Sequence, residues 1–138
     1  MVTLKCQELA MQKFKIVVVE DEPAICDMYR MKLEHSGFAV ATAYNGKQGL
    51  EVIESFQPDL ILLDLRMPVM TGDEMLEKLR QTKQGASIRV IILTNISRDE
   101  APHTLRFLHV DRYIVKAHHT PSQIVDIVRE TLQQKSSV

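Results

Sequence analysis

The sequence predicts one layered α/β domain: a five-stranded parallel sheet with helices on both faces. Three observations predict it. The aliphatic runs KIVVVE (Lys15 to Glu20), LILLD (Leu60 to Asp64), RVIILT (Arg89 to Thr94) and RYIVK (Arg112 to Lys116) are short, mostly β-branched and nearly continuous, as in strands covered on both faces. The segments between them carry helical stripes and helix punctuation. The two kinds of segment alternate, βαβαβαβαβα, which calls for right-handed crossovers and helices on each side of one sheet.

Taken in order, the first run is a buried strand, and Pro23 after it suits a first helical position. Ile25, Tyr29 and Leu33 form one stripe of that first helix, and Gly37 stops it. FAVATA (Phe38 to Ala43) alternates more than the other runs and suits an edge strand. Asn45 caps a second helix carrying Leu50, Ile53 and Glu54, which Pro58 ends. After LILLD, Gly72 or Asp73 opens a third helix with Met75, Leu76 and Leu79, and Gly85 follows it. Ser97-Arg98-Asp99-Glu100 reads as a capping box for a fourth helix. Thr120-Pro121 is a cap and first-turn proline leading into Ile124, Ile127, Val128 and Leu132 of a fifth.

The chain has 138 residues, 45% hydrophobic and 25% charged, with a net charge of -1. That length suits one domain with a full core. The charge gives no case for direct nucleic-acid binding, which needs a basic face. No apolar run reaches the roughly 18 residues of a membrane span. Cys6 and Cys26 make no disulfide framework, so a reducing cytoplasm is expected. Residues 1–12 read as a loosely held arm, 13–134 as the domain and 135–138 as a polar tail.

Chemistry concentrates where the strands end. In open α/β sheets ligands bind beyond the carboxyl ends of the strands. There the runs present Glu20-Asp21, Asp64, Thr94 and Lys116. Clustered carboxylates repel one another unless a cation joins them, and hard oxygen donors suit Mg²⁺ or Mn²⁺. A carboxylate beside such an ion can attack a phosphoryl group, whose equatorial oxygens need neutralising more than covalent help. Asp64 is then the nucleophile, with Lys116 and the Thr94 hydroxyl available to phosphoryl oxygens.

The motifs VVVEDEP, DLILLDLRMPVMTG, IILT and YIVK, in this order and at these intervals, strongly resemble the receiver domain of two-component response regulators. The likeness runs from about Lys13 to Leu132. It implies a flavodoxin-like sheet of strand order 2-1-3-4-5 and a phosphoacceptor at Asp64. It makes Glu20, Asp21, Asp64 and the Arg66 carbonyl the Mg²⁺ ligands, Thr94 and Tyr113 the switch pair, and Lys116 the family lysine. Pro68 and Gly72 match the turn that shapes the loop after the acceptor, and Arg66 and Ile96 stand where the family tunes phosphoryl lifetime. A histidine kinase or phosphotransfer protein is the implied donor. Output would pass through the face of the fourth helix, fifth strand and fifth helix, with a homodimer compatible.

The chain departs from that pattern at three places. Lys116 precedes Ala117 rather than proline, so a trans bond, or else a strained exception, is expected. Asn95 replaces a small residue, and LHVDRYIVK lacks the usual small-residue stretch, so the fourth helix is expected to end differently. Singly, the site residues have plain readings: Glu20-Asp21 as a first-turn pair, Thr94 as a strand threonine, Lys116 as a surface lysine, Tyr113 as a half-buried strand residue. His118-His119 reads as a solvated loop, Cys26 as an inert packed thiol, and Met67, Met70 and Met75 as core fillers. Leu105, Phe107 and Leu108 read as part core, part partner contact. Two alternatives remain: a receiver-like module independent of phosphorylation, and an aspartyl-nucleophile phosphohydrolase, disfavoured because Arg66 stands where its second aspartate would. EDEP in place of a glycine-rich loop argues against a dinucleotide-binding domain.

Overall fold

The five strands and four of the five expected helices form where the aliphatic runs and stripes place them. The structure, a computed structural model, describes residues 14–134; the expected arm and tail, with Cys6, lie outside the described residues. The strands are β1 (Lys15–Val19), β2 (Ala39–Ala43), β3 (Leu60–Leu63), β4 (Arg89–Thr94) and β5 (Arg112–Val115). They pair in parallel in the order β2-β1-β3-β4-β5, with β2 at an edge as expected. The helices are α1 (Pro23–His35), α2 (Gly46–Phe56), α3 (Gly72–Arg80) and α4 (Pro121–Gln133).

Continuous apolar strands are explained by two cores, one on each face. Val17, Val19, Ile61, Leu63, Val90 and Ile92 point to the face covered by α2 and α3, where Ile53, Met75, Leu76 and Leu79 meet them. Ile16, Val18, Leu60, Leu62, Ile91 and Leu93 point to the other face, under Cys26, Tyr29 and Leu33 of α1 and Ile124, Val125 and Val128 of α4. Every second residue changes sides because strand side chains alternate. At about 25 cal/mol per Å² of apolar surface, this double burial is the main stabilising term.

Local chemistry sets the helix ends. Pro23 opens α1, and Gly37 at φ 100 lets the chain reverse after it. The Asn45 side chain accepts from Gln48 N at 2.8 Å to cap α2. Thr120 and Gln123 form a reciprocal capping box on α4.

The expected fourth helix is absent. Between β4 and β5 run two 3-10 turns, Arg98–Glu100 and His103–Phe107. Pro102 stops a helix from running on past Ser97: it has no N–H to donate and disfavours the helical conformation in the residue before it. Ala101 is accordingly extended, at φ -69 and ψ 150. Ser97 makes no side-chain cap bond. The last helix of the fold is therefore the fourth, α4, and the expected output face is built from 3-10 turns, β5 and α4.

Arg80 holds this irregular segment in place. Its guanidinium donates to the carbonyls of Gly85, Ile88, Leu108 and His109 at 2.7–2.8 Å. Leu105 is buried in the core while Phe107 is 76% exposed, which matches the mixed expectation for this stretch. Met67 and Met75 are buried and Met70 packs against the same core.

Candidate functional site

Sheet register assembles the site. Val19 pairs with Leu63, so the next residues, Glu20 and Asp64, leave the sheet side by side. The strand order reverses direction at β1, between β2 and β3, and the crevice opens there. Asp64 N donates to Val19 O, and Glu20 N to Ala43 O, each at 3.0 Å, so both carboxylates stand on fixed backbone. Thr94 pairs with Val115, which places Lys116 one residue beyond the edge.

Asp64 is 7% exposed and Glu20 3%. Asp64 Oδ1 accepts from Leu65 N at 2.7 Å and Arg66 N at 3.4 Å. The Lys116 ammonium donates to Asp64 Oδ2 at 3.1 Å and also to Glu20 Oε2. One oxygen of Asp64 is thus held by backbone and the other faces the shared cation. Carboxylate oxygens of Glu20, Asp21 and Asp64 lie within 4.8 Å of one another.

The electrostatics follow from burial. Desolvation pushes the Glu20 carboxyl up to about 7; Lys116 opposes the rise and Asp64 adds to it. For Lys116, burial alone would lower the ammonium, but the bond to Glu20 and the Asp64 charge overcome it, and its pKa is raised. Burial, with a smaller contribution from Glu20, pushes the Cys26 thiol up to about 11. Cys26 is fully buried, as expected of an unreactive thiol.

Two features shape the loop that follows Asp64. A Cβ at Gly72 would lie 2.1 Å from the Asp64 carbonyl oxygen, so only glycine allows the start of α3 to press on that backbone. Gly72 N donates to Leu65 O at 3.0 Å. Val69 has φ 70, and Met70 N donates across it to Pro68 O at 2.7 Å. That is a γ-turn of the rare positive-φ kind, and at a β-branched residue it carries strain.

The residues present fit a divalent cation. All donors are oxygens, three carboxylates converge, and burial makes the Glu20 charge costly without a counter-charge. Mg²⁺ prefers such a set, completed by water and phosphate oxygens. His118 and His119 are not part of the group.

Glu20, Asp21, Asp64 and Lys116 are therefore brought together. Thr94 is buried at the end of β4, and its hydroxyl accepts from Ile96 N at 3.4 Å. The Tyr113 hydroxyl donates to Ile96 O at 2.7 Å and to Ser97 O at 3.4 Å. Thr94 and Tyr113 thus hold Ile96 by its N–H and its carbonyl, a connection the sequence does not disclose. Arg66 and Asn95 are exposed. Among the described residues there is no cis peptide bond, so Lys116–Ala117 is trans as expected. A 3-10 turn over Lys116–His118 follows β5 and accompanies the contact of the lysine with both carboxylates.

The family model for the response regulator receiver domain matches residues 16–129. The chain is 37% identical over 109 residues to the phosphate regulon transcriptional regulatory protein PhoB of Rhizobium meliloti, covering 78% of this chain and 47% of that one. It is 31% identical over 130 residues to hybrid signal transduction histidine kinase D of Dictyostelium discoideum, covering 94% of this chain and 8% of that one. The chain thus spans half or less of these two relatives. Among solved structures it superposes on the chemotaxis response regulator CheY4 of Vibrio cholerae with a TM-score of 0.79 at 25% identity, covering 86% of this chain and 98% of that one. A CheY-like receiver domain protein of Methanospirillum hungatei gives 0.77 at 30% identity, covering 87% and 94%. No helix among the described residues is long and apolar enough to cross a membrane. Family match, sheet order and acidic rim agree, and the chain belongs to the response regulator receiver domains of two-component signalling.

Proposed function

We propose that the chain is a Mg²⁺-dependent phosphoacceptor whose nucleophile is Asp64 and whose output is a change in protein contacts. The observation that carries this is the convergence of three carboxylates and one ammonium at the sheet edge, with Asp64 fixed by backbone N–H groups. Glu20, Asp21, Asp64 and the Arg66 carbonyl would hold the ion. Mg²⁺ (or Mn²⁺) held there would supply positive charge to neutralise phosphoryl oxygens.

The chain's own residues do the rest. An oxygen of Asp64 attacks phosphorus, an O–P bond forms, and the bond from phosphorus to the donor breaks, its electron pair leaving with the donor. The donor is a histidine kinase or phosphotransfer protein. Lys116 can keep its charge throughout, since two carboxylates raise its pKa, and it can pass from Glu20 to a phosphoryl oxygen. The Thr94 hydroxyl is the remaining donor; turning toward the phosphoryl group would break its bond to Ile96 N and bias Tyr113 through the same residue. That is a local charge event acting on a two-state element.

Intact-mass spectrometry with a small-molecule phosphodonor tests the proposal. An adduct of about 80 Da is expected with Mg²⁺, but neither after chelation nor in Asp64→Asn. No adduct in the wild type would leave a binding module that works without phosphorylation; catalytic turnover of phosphate esters would instead indicate a hydrolase.

A further inference from the structure

Between α2 and α3, toward the C-terminal end of each, lies a cavity of about 310 Å³. Leu50, Ile53 and Leu79 line it with aliphatic surface, and Glu54, Lys78 and Gln84, all exposed, stand at its mouth. A hollow at the low end of the roughly 300–1,000 Å³ of binding clefts suits the side chains of one short segment. The first strand starts at the same end of the molecule. The ammonium of Lys15, the first residue of β1, donates to the Phe56 carbonyl at 3.3 Å and stands 5.2 Å from the centre of the Phe56 ring. Phe56 ends α2. Ile53 and Leu50 lie back along that helix from Phe56, about 5 and 9 Å along its axis. Residues 1–13, which precede the described chain, therefore join it beside the hollow.

We propose that residues 8–13 of this chain fold back across the hollow, with Leu9 and Met11 inserted between α2 and α3. Reach permits it: Met11 and Leu9 precede Lys15 closely enough to lie at most about 13 and 20 Å from it. Side-chain alternation favours it. Leu9 and Met11 share the parity of Lys15, Val17 and Val19, and Val17 and Val19 face the core under α2 and α3. Charge sets the direction of crossing. Lys13, nearest the junction, meets Glu54 on α2, and Glu8, beyond the two anchors, meets Lys78 on α3. Exposed pairs of this kind add little energy; burial of the two apolar side chains supplies the attraction. Tethering decides the occupant. A segment already joined beside the hollow acts at an effective concentration on the order of mM, so a contact too small to hold a separate protein suffices. The clasp is independent of any chemistry at Asp64.

The test places a thiol-reactive nitroxide on Cys6 of the whole chain and reads paramagnetic broadening of backbone amides by NMR. Cys26 is fully buried and its thiol is pushed up to about 11, so Cys6 takes the label. Broadening is expected to concentrate on residues 50–54 and 78–84 and to spare α1 and α4. It should disappear in Leu9→Ser and in Gln84→Trp, which fills the hollow from its exposed mouth, and persist in Leu4→Ser, which lies outside the clasp. Amide exchange over residues 79–82 should run about tenfold faster in Leu9→Ser than in the wild type. Broadening no stronger there than on α1 or α4 would overturn the clasp and leave the hollow to a separate partner. Equal loss in Leu4→Ser, or none in Leu9→Ser, would overturn the anchors. Broadening of ¹⁵N-labelled chains by spin-labelled chains in a mixed sample would overturn it in favour of a second copy.

Discussion

Glu20 makes the rim sensitive to pH. Burial raises its carboxyl from the ordinary 4.5 to about 7 in the folded protein, so between those values the folded state holds a proton the unfolded chain has released. Its contribution to stability is fully present below about 4.5 and is lost as the pH rises through about 7. In metal-free buffer the unfolding midpoint should therefore fall across that window, and Glu20→Gln should flatten the fall. Mg²⁺ must displace the same proton, so its affinity should rise with pH, by up to about tenfold per unit below the folded value. A stability profile identical in Glu20→Gln would contradict this account. Val69 poses a second test at this scale. Its positive φ costs a β-branched residue about 1–3 kcal/mol, and glycine returns part of that as chain entropy. Val69→Gly should stabilise the fold by about 1 kcal/mol in denaturant unfolding; destabilisation would mean that the turn is unstrained.

Between β4 and β5 the chain relies on side-chain bonds in place of a helical ladder. Four carbonyls converge on Arg80, whose guanidinium burial holds below its ordinary pKa despite nearby Asp111. Arg80→Met should cost about 3 kcal/mol and speed amide exchange over residues 105–113 while leaving β1 to β3 protected. Uniform exchange across the chain would refute a local clamp. The same region marks where sequence reading stopped. Strands were legible because a run buried on both faces leaves an unbroken aliphatic signature, and LILLD and RVIILT fall within a residue of β3 and β4. Ser97-Arg98-Asp99-Glu100 carried the letters of a capping box, but Pro102 five residues past Ser97 removes a donor and holds Ala101 extended, and that local veto outweighs a cap. The Arg80 clamp was not legible, because its acceptors are main-chain carbonyls, which have no letter in the sequence. In the site, the acidic residues were legible from their positions at strand ends. The joint hold of Thr94 and Tyr113 on Ile96, and the strain at Val69, depend on coordinates.

At the scale of the whole molecule, parallel register does the assembling. β1, β3 and β5 each end one residue before a rim group and β4 ends on one, so a one-residue slip in β1 or β3 would turn a carboxylate into the core. Two apolar faces fix that register, and the rim inherits the stability of both cores. The converging negative charge there is offset by Lys116 and would be offset further by a divalent cation. The account stands or falls on where phosphorus lands. Borohydride trapping followed by peptide mapping measures this directly, because reduction of an aspartyl phosphate leaves homoserine at the modified position. With Mg²⁺ and a small phosphodonor, homoserine should appear at position 64 alone and vanish on chelation. Homoserine at another acidic residue, or at none, would contradict it.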